Sequence, residues 1–439
     1  MKKIFAIALL LCTALAFADN RTMERFAIPT ARSNGMGGTH VAYTDNVFSL
    51  LVNPAAMMRV EQKSYFSFSG GLFNVETTSE LVKMISSFAN AISADDVTAE
   101  MAKALGETAD FLSKRSNDGK ISLGFDLREG LLSMAWVANG FGFAVWDRFF
   151  TNPNIIGEHI VMDAYADIIL PFGFAFKILD TDAHSVDMGF TVKPFFRGLM
   201  SEKLNIWDLV GGNTDSFDSV SIPLIIGAGF DLGFMYRWDL GLSAGLTFCD
   251  IGNTRGNAST AIIGDASGTY SVPFSMNMGV AYDFRLGKFL QGIPDFLTNF
   301  GIMFAFDWHD FTNAFQQDDY TRRNSALDIG LGLQLTMFKD DLFKLRIGMN
   351  ECLPSFGFGF DIGSLELDFA YYGKELGREP GQLPVAVMEV TLAIRPQAKK
   401  RDWPWTRYSA VGLIDGFING GEREPAVTVT FEDEEEEEY

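Results

Sequence analysis

The side chains best suited to chemistry are few in this 439-residue chain and lie far apart. Its cysteines, Cys12, Cys249 and Cys352, are too few for a disulfide scaffold and in the wrong places for a metal site. The histidines, His40, His159, His184 and His309, lack the short spacing that zinc sites use, so no metal ligand set is expected. Gly35-Met36-Gly37-Gly38 has the composition of a phosphate-cradling turn, but no GK[ST] ending follows and no strand precedes it. Gly227-Ala228-Gly229 and Gly357-Phe358-Gly359 lie at alternating positions inside apolar stretches, where close strand packing explains them. No set of serine, histidine and aspartate gathers at one end of the predicted elements. Neither an enzyme nor a cofactor site is expected.

Those elements are strands. Fourteen stretches alternate apolar residues with small or polar ones, and beyond the N-terminus none is apolar and long enough to cross a membrane as a helix. In Ser325–Met337, Leu327, Ile329, Leu331, Leu333, Leu335 and Met337 alternate with Asp328, Gly330, Gly332, Gln334 and Thr336, giving one oily face and one wet face. Repeated from 65–73 to 384–395, the pattern predicts an all-β chain: a 14-stranded antiparallel transmembrane β-barrel over 65–395. Connections alternate as well. Asn139-Gly140, Asp180-Thr181-Asp182, Arg237-Trp238, Lys339-Asp340-Asp341 and Gly363-Ser364 are tight, whereas 74–130, 151–162, 198–220, 249–271 and 310–324 are long. That asymmetry places the N-terminus and tight turns on the periplasmic side and the long loops at the cell surface. Mean hydropathy of +0.10 beside 47% hydrophobic residues fits strands shared between lipid and lumen.

The ends carry separate signals. Lys2-Lys3, the apolar run to Leu15 and Ala16-Phe17-Ala18 have the order of a secretory signal peptide, 1–18, cleaved after Ala18. Acids outnumber bases 56 to 35, and the run Glu432–Glu438 ends the chain, so nucleic acid is a poor partner. Alternation stops at Pro396. The extension 396–439 reads either as a periplasmic docking element for a protein partner or, through 426–431, as the closing strand in place of 384–395.

Three features bear on what passes through such a barrel. The loop 74–130 has helical periodicity, with Leu81, Met84, Ile85, Phe88 and Ile92 on one face. It forms either an external groove for an oily ligand or a helix pair that buries its own apolar faces. Pro171 and Pro194 cannot donate ladder hydrogen bonds, so each marks a bulge or a local opening of the wall, as Gly140 and Gly142 could at the start of the third strand. Aromatic residues near strand ends, Tyr65, Phe73, Trp146, Phe149, Trp308, Tyr371 and Tyr372 among them, suggest two interfacial girdles.

Between the signal peptide and the first strand, residues 19–64 contain Ala31-Arg32-Ser33-Asn34-Gly35-Met36-Gly37-Gly38 and Asn53-Pro54-Ala55. Together with the strand count, these motifs resemble the FadL family of outer-membrane transporters and their PorV-like relatives. The resemblance implies that residues 19–64 fold inside the barrel as a hatch, with Gly35, Met36, Gly37, Gly38, Asn53, Pro54 and Ala55 at its centre. It also implies that a kinked wall releases substrate sideways. Small residues on the inward faces, such as Gly233, Gly245, Gly330 and Gly332, leave room for such a hatch. Asp231, Asp283, Asp307, Lys344, Arg346, Asp361 and Arg395 also point inward by alternation. The implied function is passive outer-membrane uptake of hydrophobic small molecules such as long-chain fatty acids. A PorV-like structural or shuttle barrel and a general porin remain the alternatives.

Overall fold

The computed structural model describes residues 21–26, 30–60, 64–73, 120–122, 124–130, 132–138, 140–156, 159–205, 221–264, 267–286, 300–315, 323–338, 341–362 and 364–395, with Ser87 and Lys103 singly. The expected signal peptide, 1–18, the expected helical face Leu81, Met84, Ile85, Phe88 and Ile92, and the extension 396–439 lie outside the described residues.

The alternating stretches form a closed antiparallel barrel of 14 strands. In chain order they are β1 (Ser64–Phe73), β2 (in three pieces, Lys120–Ser122, Phe125–Glu129 and Met134–Ala138), β3 (Phe141–Ile156), β4 (His159–Ile169 and Phe172–Asp180), β5 (His184–Asn205), β6 (Ile222–Trp238) and β7 (Leu242–Cys249 and Thr254–Ile263). The remaining strands are β8 (Gly268–Val272 and Ser275–Arg285), β9 (Gly301–Trp308), β10 (Ile329–Met337), β11 (Phe343–Asn350), β12 (Leu353–Asp361), β13 (Leu365–Glu375) and β14 (Pro384–Ile394). β14 pairs with β1 from Phe66 opposite Ile394 to Phe73 opposite Val387, so the cylinder closes on the 384–395 stretch.

Period-2 patterning decides which side chains meet lipid. Phe66, Phe68, Phe304, Phe306, Leu331, Ile347, Phe356, Leu392 and Ile394 are large, apolar and exposed on the outside. A closed ladder that satisfies its own backbone and wears such a belt is stable in hydrocarbon. Inward positions instead carry charge in pairs. Arg197 Nε lies 2.6 Å from Asp167 Oδ1, Lys193 Nζ lies 2.8 Å from Asp231 and 3.0 Å from Asp250, and Arg128 bridges Asp126 at 2.8 Å and Glu389 at 3.2 Å. Removing one partner of such a buried pair strands the other, so each pair fixes how neighbouring strands face the bore.

Several expectations change. The spans 151–162, 198–220 and 249–271 are partly strand: β3 and β4 pair as far as Ile156 opposite His159, and β7 and β8 reach Ile263 and Gly268. Trp146 and Tyr65 belong to no girdle. Both are buried and point inward, where Phe48 stacks on Trp146 at 5.7 Å and meets Tyr65 edge-on at 5.4 Å.

Neither proline bulges the wall. β4 is interrupted at Leu170 and Pro171, yet its pairing with β3 and β5 holds one register on both sides of the break. The carbonyls compensate: Pro171 O accepts from Ala144 N at 3.0 Å and Pro194 O from Leu170 N at 2.9 Å. A larger irregularity sits in β7, where five residues of β6 (Ala228 to Leu232) oppose eight of β7 (Phe248 to Arg255). The extra residues, around Asp250–Asn253, take positive φ at Asp250, Gly252 and Asn253, and Lys193 pins Asp250 from within.

Candidate functional site

Residues 30–60 lie against the inward faces of strands on both sides of the barrel. The segment starts with α1 (Ala31–Gly35), capped by Thr30, whose hydroxyl accepts from Ser33 N at 3.3 Å. The helix ends because Gly37 and Gly38 turn to φ +68° and +77°, a left-handed conformation that a Cβ disfavours. That turn presses on a wall of glycine. A Cβ on Gly332 would lie 2.4 Å from Met36 O, one on Gly348 2.4 Å from Gly37 N, and one on Gly330 2.5 Å from Gly37 O. Gly35 meets Gly357 of β12 in the same manner, at 3.0 Å.

Asn53 organises the second half. It ends α2 (Ser49–Val52) and caps a 3-10 turn, Pro54–Arg59, with Pro54 at the first position, where no N–H is needed. Its side chain is fully buried: Oδ1 accepts from Ala55 N at 3.2 Å, while Nδ2 donates to Val41 O at 3.2 Å and to Phe234 O of β6 at 3.1 Å. Gly189, Gly233 and Gly245 make room, since a Cβ at Gly233 would lie 2.2 Å from Asn53 Oδ1. Gly140 and Gly142 belong to this contact surface too: their Cβ atoms would meet Met58 Sδ at 2.5 Å and Leu50 Cδ2 at 3.3 Å. The two N-terminal motifs therefore converge with these wall glycines, while Pro171 and Pro194 stand side by side in the wall itself.

Polar ties complete the seating. Asn34 Nδ2 donates to Glu389 at 2.6 Å, Thr247 Oγ1 to Val52 O at 3.1 Å, and Ser355 Oγ to Gly35 O at 3.4 Å. Asp307 Oδ2 accepts from both His40 N and Val41 N, at 2.6 and 2.8 Å. His309 Nε2 lies 3.2 Å from Gly38 O, and its ring stacks on that of His40 with centroids 4.9 Å apart. Burial, and then His309 beside it, push the His40 imidazole down to about 3. Burial also pushes His309 down to about 4. Both rings are thus neutral near pH 7. Spacing along the chain hid this meeting, since 267 residues separate His40 from Asp307. At the tight-turn end Arg32 grips Asp45 at 2.7 Å and, outweighing burial, holds its carboxyl below the usual carboxylate range.

Spaces remain at both ends of the segment. Toward the long loops is a cavity of about 760 Å³ lined by Asn34, Arg128, Arg148, Tyr165, Leu199 and Lys374, among others. Toward the tight turns is one of about 140 Å³ bordered by Arg32, Asp45, Arg285 and Lys344. The larger falls within the range of small-molecule sites. Its arginine-rich lining had no local signature, because the residues come from β2, β3, β5 and β13.

No family model and no curated protein matches the chain. Among solved structures, a CymD monoaromatic hydrocarbon channel is 13% identical with TM-score 0.42, over 84% of this chain and 98% of that one. The Pseudomonas putida toluene transporter TodX is 12% identical with TM-score 0.39, over 86% and 98%. A Pseudomonas aeruginosa FadL homologue is 9% identical with TM-score 0.40, over 83% and 98%. These structural neighbours are FadL-family proteins, the group that the N-terminal motifs resemble. Likeness this distant carries no functional argument, and function has to be read from the barrel's own geometry.

Proposed function

We propose that this protein is an integral outer-membrane channel, and no enzyme, for passive uptake of hydrophobic small molecules, with residues 30–60 as a hatch across its bore. The carrying observation is the seating of that segment on glycine from β5, β6, β7, β10, β11 and β12, with a cavity at each end. Gly35, Met36, Gly37 and Gly38 form the hatch face on β10–β12, and Asn53, Pro54 and Ala55 the face on β5–β7. A general porin needs a continuous watery bore, which a segment held in this way denies.

The ligand enters at the loop end in this reading. Leu81, Met84, Ile85, Phe88 and Ile92 form the oily landing surface, and the 760 Å³ cavity receives the ligand next. Exit sideways into the bilayer takes place at Pro171 and Pro194, which have no N–H to give the ladder, beside the glycine seats Gly140 and Gly142. Long-chain fatty acids suit the cavity chemically, because Phe150, Tyr165 and Leu199 line it beside Lys374, whose ammonium can meet a carboxylate head. Aromatic hydrocarbons, the cargo named for the solved neighbours, make the natural comparison.

Uptake of labelled oleate, toluene and arabinose by cells whose outer membrane is otherwise impermeable tests the assignment. Expression should raise oleate or toluene uptake and leave arabinose unchanged. A rise for arabinose alone would mark the protein as a porin.

A further inference from the structure

His40, Asp307 and His309 each offer a ligand atom, and these atoms lie within 4.8 Å of one another. Two imidazoles and a carboxylate form a common donor set for zinc and related divalent metals. Asp307 is wholly buried, and its Oδ1, like His40 Nδ1, is buried without a hydrogen-bond partner. Orphaned polar atoms of this kind are costly, and facing donors that share one gap are what an ion resolves. His309 Nε2 lies 4.0 Å from Asp307 Oδ2 and 3.2 Å from Gly38 O, so binding an ion through this nitrogen means giving up its contact with Gly38 O.

We infer that His40, Asp307 and His309 form a binding site for a divalent transition-metal ion of the zinc class, bridging the N-terminal segment to β9. His40 belongs to the segment, Asp307 to β9, and His309 to the turn just after it. Ligand atoms around tetrahedral zinc stand about 3.4 Å apart, so small rotations of the two rings close the present spread. A fourth position is left for water. Charges nearby balance, because Arg25 is paired with Asp310 at 3.0 Å. The bound ion would act as a staple, fastening the Gly38–Val41 stretch to the wall. The site stands on its own geometry and requires no movement of residues 30–60.

The test is titration of the full-length, chelator-stripped protein in detergent with Zn²⁺ alone, followed by calorimetry and by the temperature of its heat-dependent gel shift. Wild type should bind one equivalent and shift at a higher temperature with Zn²⁺. His40→Gln and His309→Gln should each weaken binding by about tenfold or more and abolish the thermal gain, while both keep the folded-barrel mobility. Asp307 is left in place because it also holds two backbone amides. Absence of Zn²⁺ binding in wild type, or binding untouched by either substitution, would overturn the site.

Discussion

The bore has two unlike halves. Where residues 35–41 meet β9–β12, backbone lies on backbone: Gly330, Gly332, Gly348 and Gly357 leave no volume for a side chain. Toward the long loops, β2, β3, β5 and β13 turn Arg128, Arg148, Arg197 and Lys374 to a space of about 760 Å³, although β3 and β5 also seat the segment through Gly142 and Gly189. One half is shaped to hold a segment of the chain, the other to receive something that the chain does not supply. Selectivity in this account therefore belongs to the open half, and closure to the glycine half.

Substitutions should separate the two. The largest effect is expected from Gly332→Val, because the Cβ alone would lie 2.4 Å from Met36 O; overpacking of this kind costs about 3 kcal/mol. Its gel shift should occur at markedly lower temperature, and an unaltered transition would show that the glycine seat is not tight. Asn53→Ala comes next. Losing three hydrogen bonds and leaving buried carbonyls unmet should cost about 2 kcal/mol, read as a lower urea midpoint.

In the open half the prediction reverses. Leu199→Trp should reduce oleate uptake severalfold by filling the cavity, yet change stability by less than about 1 kcal/mol. Equal uptake would mean that ligand takes another route. The smallest effect concerns pH at the tight-turn end. The folded-state pKa of Asp45 is lowered from 3.8, so the stability it adds is complete above that value and is lost as pH falls below it. The urea-midpoint gap between wild type and Asp45→Asn should accordingly shrink on acidification from about pH 6 to about pH 3. A gap that stays constant would remove the Arg32 contact from the account.

Local period explains what could be read in advance. β10 shows Leu331 outside and Gly332 inside, as alternation alone requires, and the closing of β14 on β1 rests on two stretches that each alternate cleanly. Motif glycines and Asn53 were legible because turns and caps restrict residue type. Long-range pairing was not. Arg346 meets Gln334 at 2.9 Å across a strand register, and His40 meets His309 across most of the barrel, with no neighbouring residue to announce either. Of the two readings that the prolines allowed, the register at Pro171 and Pro194 leaves the local opening rather than the bulge. The largest register change among the described residues, at Asp250–Asn253, is coded by two polar residues, an isoleucine and a glycine.

Conductance in planar bilayers tests the central claim most directly, comparing wild type with a variant lacking residues 30–60 whose heat-dependent mobility shows a folded barrel. The account predicts wild-type steps at or near the noise and, in the deletion variant, a steady open level about tenfold higher or more, as an unplugged barrel of this strand number allows. Equal conductance in the two proteins would mean that the segment does not close the bore.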